Sequence, residues 1–387
     1  MLRNKDKGIT LISLVITIII LLILAGISIS ALTNQGLFKN AKIAQNATEK
    51  AEKEQGQRLN EYEDEINKYL GNSKDESKDD TKGTTVEEAI KKNGALSTTD
   101  NTELKDAKNN KIVVPAGFKI VEGATTVDKG IVIEDVTETA TKGSQFVWVP
   151  VGTITKTDGT TTTITLGRYD FNSTTGVESA YTGTYVEEDS NDSSTLKKYG
   201  NTIAKNITNF KNSVAQNGGY YIGRYEARTA TARSASGNAL TQITEKGIEN
   251  VYNWVTQLQA AQLSQNMYTS DKFTSDLMNS YAWDTATVFI QNCGTNAKYS
   301  RQNSLNTSLL QTGTNSLTDT SKIDVQCNIY DMASNIEEWT TETSYDSDSP
   351  CVYRGGYCNS SNVFTSNRSN SYTSGRGNVG FRPLLYL

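Results

Sequence analysis

Apolar positions change their spacing three times along this chain. Residues 9–29 run without a charge, and at about 1.5 Å per residue a helix of that length crosses the roughly 30 Å core of a bilayer. Residues 31–70 are polar, with Leu59, Tyr62, Ile66, Tyr69 and Leu70 recurring at helical spacing. They predict an exposed helical stalk with a narrow apolar seam. Residues 71–85 hold no aliphatic side chain and mix both charge signs with Ser, Thr and Gly, as a flexible tether at a domain boundary does. From 86 to 387, short apolar runs at 111–114, 130–133 and 145–149 alternate with Gly-, Asn- and Thr-rich turns and predict strands. Two segments predict helices: 247–263, with Val251, Trp254, Val255, Leu258 and Ala261 on one face, and 276–291, with Leu277, Tyr281 and Val288. The expected class is α+β, a transmembrane helix at 9–30 followed by a stalk and one loop-rich domain large enough for a sizeable core.

Charge orients this arrangement. The leader, residues 1–8, carries Arg3, Lys5 and Lys7 against Asp6, so the positive-inside rule keeps it cytoplasmic and sends the C-terminal bulk outside the cell. The net charge of -5, with no basic patch beyond the leader, gives no reason to expect nucleic acid as a partner. Histidine is absent, which removes the commonest general base and the commonest metal ligand together. There is also no GxSxG and no phosphate-cradling Gly-rich loop. The adjacent carboxylates Glu187, Glu188 and Asp189 are expected in a solvated acidic loop. Four cysteines, Cys293, Cys327, Cys351 and Cys358, lack the CxxC spacing of a zinc site. In an oxidising exterior they allow one or two disulfides, and all three pairings stay open.

The segment KGITLISLV around Gly8 and Ile9 resembles the type IV prepilin processing site. That resemblance implies cleavage after Gly8 by a prepilin peptidase, a mature chain starting at Ile9, and pilin or pseudopilin subunits as partners. The chain departs from the family at two places: Ile9 replaces the usual Phe, and Ser13 stands where the mature family carries Glu at its fifth position. A minor or merely membrane-anchored pilin-like protein is therefore expected.

Further along, phrases recur in a fixed order: VPAGF at 114–118, FVWVPV at 146–151, GGYYIGRYEA at 218–227, NIYDMASNIEEWT at 328–340, VYRGGY at 352–357 and VGFRPLL at 379–385. Gly355 and Gly356 suit a strand entering a tight bend. Arg354 and Arg382 are expected to fork onto carboxylates and clamp a loop-rich domain. Asn335 and Glu338, hard oxygen donors beside Trp339, suit calcium. Together the phrases resemble the formylglycine-generating enzyme (sulfatase-modifying factor) family over residues 113–387. The resemblance implies a C-type-lectin-like fold and a structural calcium near Asn335 and Glu338. That family's oxidation of a substrate cysteine depends on a copper-binding cysteine pair shortly after the RGG motif. Here Cys358 follows Gly356, and residues 359–387 hold no second cysteine. One thiolate does not make a two-coordinate Cu(I) site, so a non-enzyme is expected.

Between RGG and GFR the tail is dense in Asn, Ser, Thr, Gly and Arg with interspersed rings. That mixture suits an adaptable binding surface, rings giving contact area and short polar groups giving hydrogen bonds. The candidate contacts are Tyr357, Asn359, Asn362, Phe364, Asn367, Arg368, Asn370, Tyr372 and Arg376. The tail also resembles the variable regions that diversity-generating retroelements alter in some C-type-lectin-like proteins. The expectation is a membrane-anchored, extracellular, non-catalytic head that binds a protein or glycan. A structural minor pilin or secretion pseudopilin is the alternative, and a copper-dependent oxidase a third.

Overall fold

A computed structural model describes residues 85–92, 94–137, 139–189, 206–247, 249–305, 324–358 and 362–387, all within one compact unit, Asp80–Leu387. The anchor and stalk readings, with Gly8 and Ile9, lie outside the described residues, and so does Asn359.

The domain is a mixed α/β structure dominated by sheet. Six strands form one antiparallel sheet in the order Thr274–Leu277, Pro383–Tyr386, Gly219–Gly223, Gln145–Pro150, Val132–Asp135 and Phe118–Ile120. Trp148 lies opposite Tyr221, which lies opposite Leu385, so the phrases at 146–151, 218–227 and 379–385 are neighbours at the sheet centre. Helix Ile207–Asn217 is started by Asn206, whose side chain accepts from the Asn209 amide, and stopped by Gly218 in the left-handed region. It packs on the strands Gly219–Gly223 and Pro383–Tyr386, stacking Phe210 edge-on against Tyr220 and Tyr386.

A second sheet carries the C-terminal motifs. Its order is Arg368–Ser371, Cys351–Arg354, Glu337–Thr343 and Val379–Phe381, the last pair parallel. The chain leaves this sheet at Phe381 and enters the six-stranded one at Pro383, so Arg382 sits at the junction. Its guanidinium forks onto Glu338, Nε to Oε2 at 3.1 Å and Nη2 to Oε1 at 2.6 Å, and Nη1 donates to the Gly223 carbonyl at 2.9 Å. The expected clamp is thus present, and it joins the two sheets. It also engages both oxygens of Glu338, the carboxylate read as a calcium donor, while Asn335 turns its amide nitrogen to Glu226 Oε1 at 3.0 Å.

Both helix expectations shift toward the C-terminus. The face read over 247–263 divides into a short strand, Asn250–Val251, paired with Arg228–Thr229, a turn with Trp254 at φ 57°, and helix Gln257–Gln265. Thr256 and Gln259 form a capping box, which fixes the helix start after the apolar spacing has begun. The second helix runs Ser280–Cys293 from the N-cap Asn279, and Thr274–Leu277 before it is an edge strand. In the run at 130–133 the strand begins only at Val132, although the Ile131 carbonyl already accepts from the Trp148 amide at 3.0 Å. Glu187 is buried rather than solvated: its carboxylate accepts from the Ser280 amide at 2.9 Å and the Thr341 hydroxyl at 2.7 Å. All four cysteines are free thiols.

Candidate aromatic and arginine cavity on the C-terminal face

The tail's main chain is fixed at the RGG bend. Gly355 has φ 76°, and a Cβ there would stand 2.6 Å from the Met332 carbonyl oxygen and 3.2 Å from the Trp283 ring. No other residue fits that combination of handedness and close approach. Beside it Arg354 is fully buried, its Nε donating to the Asn367 carbonyl at 2.8 Å and its Nη2 to Asp284 Oδ1 at 2.5 Å. Asn367 returns a bond from Nδ2 to the Gly355 carbonyl at 3.2 Å. The loop between them is thereby tied across its base.

Asp284 on helix Ser280–Cys293 and Glu342 on strand Glu337–Thr343 are the anionic centre of this base, both fully buried. Three guanidiniums converge on them. Arg368 bridges the pair, Nη2 to Asp284 Oδ2 at 2.6 Å and Nε to Glu342 Oε2 at 2.9 Å. Arg168 also reaches Glu342 and donates to the Tyr185 carbonyl at 2.7 Å. Burial opposes the charge on Arg368, but Asp284 and Glu342 outweigh it and hold its pKa above the ordinary arginine value. Burial and the like charge of Arg368 push Arg354 the other way. Buried charges are tolerable only when answered in this manner.

Above the network lies a cavity of about 380 Å³, lined by Tyr169, Asp170, Phe171, Tyr181, Tyr185, Arg301, Phe364, Ser366, Asn367 and Arg368. One wall is the hairpin Tyr169–Phe171 with Glu178–Ala180. Its turn is pinned where the Gly176 carbonyl accepts from Ser300 Oγ at 3.0 Å and Gln291 Nε2 at 3.1 Å. The opposite wall forms because residues 364–366 lie along 300–303: the amides of Thr365 and Ser366 donate to the carbonyls of Gln302 and Ser300, each at 3.1 Å. That pairing sets the Arg301 guanidinium 3.5 Å over the Phe364 ring. On the far side Tyr181 stacks with Arg368 at 4.0 Å and Arg168 at 4.4 Å. Burial, then Tyr181 and Glu342, raises the Tyr185 hydroxyl pKa, so this rim is neutral phenol at physiological pH.

The tail candidates separate into groups. Phe364, Asn367 and Arg368 line the cavity. Asn370 fastens its rim, accepting from Tyr185 Oη at 3.2 Å and donating to the Ser349 carbonyl at 3.1 Å. Tyr372 and Arg376 form a separate patch, ring and guanidinium 5.7 Å apart, with the Arg376 carbonyl holding the Trp254 amide. Asn362 is exposed and Tyr357 half-buried, and neither lines the cavity. Sequence reasoning missed Tyr169, Asp170, Phe171, Tyr181, Tyr185, Arg301 and Ser366. The alternation Tyr169, Asp170, Phe171 and the rings at 181 and 185 were the available signal.

Among solved structures, the chain is similar to Treponema denticola variable protein 1, at 12% identity and a TM-score of 0.33, over 64% of this chain and 98% of that one. No family model and no curated protein matches the chain.

Proposed function

We propose that residues 86–387 are the non-catalytic ligand-binding head of a pilin-like surface protein, with a C-type-lectin-like fold and a C-terminal face that meets an extracellular protein or glycan. The observation that carries this reading is a division of labour within the tail. Arg354, Gly355, Arg368 and Arg382 are spent on buried bonds that fix the main chain, while Phe364 and Ser366 face a cavity and Asn362 and Tyr372 face solvent. A rigid frame carrying adaptable polar and aromatic side chains is what recognition requires. The same division supports diversification by a retroelement, since residues at 362, 364, 366 and 372 can change without touching the clamps. The resemblance around Gly8 and Ile9 supports processing by a prepilin peptidase and anchoring in the membrane.

The test is binding of the detergent-solubilised full chain to immobilised glycans, peptides and whole cells, with Phe364→Ala as the matched variant. Retained binding that Phe364→Ala weakens at least tenfold supports the head. Co-purification with a filament, and no binding by either protein, would favour the structural minor pilin instead.

A further inference from the structure

Six guanidiniums lie on or under the C-terminal face; Arg376 stands with Tyr372 outside the cavity, and of the other five one differs. Arg168, Arg354 and Arg368 share Asp284 and Glu342, and Arg382 holds Glu338. Arg301 has no ion-pair or hydrogen-bond partner for its guanidinium among the described residues, and it is half-buried on the cavity wall. It is nevertheless held in place. Phe364 supplies a flat face beneath it at 3.5 Å, and its backbone amide donates to the Lys298 carbonyl at 2.8 Å in the short helical turn Tyr299–Arg301. A guanidinium that is positioned, partly desolvated and unpaired among the described residues is a ready receptor for a carboxylate.

The other lining groups narrow the ligand further. Asp170 also faces the cavity, and its Oδ2 accepts from the amide and hydroxyl of Thr182, both at 2.9 Å. Its acceptor capacity is not exhausted by these bonds. A ligand carrying only negative charge would be repelled by it, whereas one that also offers hydroxyl donors would be held. Tyr169 and Phe171 stand edge-to-face with centroids 6.3 Å apart, leaving ring surface for the apolar face of a pyranose. A volume of about 380 Å³ is at the small end of the roughly 300–1,000 Å³ typical of ligand sites. It suits one or two rings rather than a peptide segment.

Resting on the binding-head reading, we infer that this cavity takes a sugar ring bearing a carboxylate, with Arg301 on the carboxylate, Asp170 on ring hydroxyls and the Tyr169 and Phe171 rings against the sugar. The test uses the full chain and isothermal titration with methyl β-glucuronide and 3′-sialyllactose. Methyl β-glucoside, lactose and an acidic hexapeptide are the comparison probes. At least one acidic sugar should bind at least tenfold more tightly than its neutral counterpart. Arg301→Gln should erase that preference while leaving the melting temperature unchanged, and Asp170→Asn should weaken acidic and neutral sugars alike. Equal binding of acidic and neutral sugars, or a preference that survives Arg301→Gln, overturns the inference. Binding of the peptide and of neither sugar class overturns the sugar assignment and leaves the head reading standing. No binding to any probe, on top of none to cells or arrays, overturns both.

Discussion

Arg368 was read from sequence as a ligand contact, and besides lining the cavity it is a clamp, a role that one substitution measures. Its side chain is 8% exposed and bridges two fully buried carboxylates. Arg368→Ala leaves Asp284 with Arg354, and Glu342 with Arg168 and a longer 3.9 Å approach from Arg354. Breaking one arm of such a network typically costs about 3–5 kcal/mol, because the orphaned charge stays buried. The two remaining arginines put this case near the lower end. For a domain of roughly 300 residues, an unfolding entropy of about 2.1 cal/mol/K per residue gives ~0.6 kcal/mol/K, so the melting temperature should fall by about 5 °C. Calorimetry of the full chain, following the head's transition, reads this directly. Arg368→Lys should recover only part of the loss, since a point-charge ammonium does not span both carboxylates. A fall of less than about 2 °C for Arg368→Ala would refute the reasoning and return Arg368 to the dispensable surface.

Three further outcomes follow from the packing of the same domain. Gly355→Ala should destabilise the head by at least ~2 kcal/mol in chemical denaturation, through left-handed strain plus the 2.6 Å approach to the Met332 carbonyl. Tyr372→Ser, at a ring 57% exposed, should move the melting temperature by less than about 1 °C. Asp324 is fully buried, and burial pushes its pKa from 3.8 up to about 6 against the bonds from the Tyr299 hydroxyl and Ala333 amide. The folded state therefore keeps a proton that the unfolded chain releases, and this group's contribution to stability falls by ~2 kcal/mol as pH rises from about 4 to about 6. Asp324→Asn should remove that slope, and an unchanged difference between wild type and variant across this window would show that Asp324 does not titrate there.

The clamps were legible because burying a guanidinium leaves few options. Arg354 and Arg382 stand in strand-forming phrases, and a charge there needs a carboxylate. The partner of Arg382 was not named, since Glu338, within the neighbouring phrase, was read as a calcium donor. Asp284 was not named either, since it lies on a helix 70 residues from Arg354 in a segment whose apolar spacing masked it. The clamping role of Arg368 was hidden for the converse reason: its neighbours are Asn and Ser, so local composition spoke for a contact surface and gave no sign of the buried pair of acids that it also bridges. The helix over 247–263 failed because apolar spacing alone does not mark a start, and the Thr256 and Gln259 cap did.

Half of the cavity escaped notice because no local rule brings residues 169–185 and 301 to the tail. What does so is main-chain pairing, 300–303 with 364–366, together with Arg368, whose Nη1 reaches the Tyr169 carbonyl at 3.5 Å while its other nitrogens hold the two carboxylates. Both devices are indifferent to the side chains at 362, 364 and 366. The cavity wall can therefore change chemically while its shape is inherited from the frame. Arg301 sits on the frame side of that boundary and Phe364 on the replaceable side. Replacing Phe364 would keep a cation in the cavity and change only how firmly it is aimed.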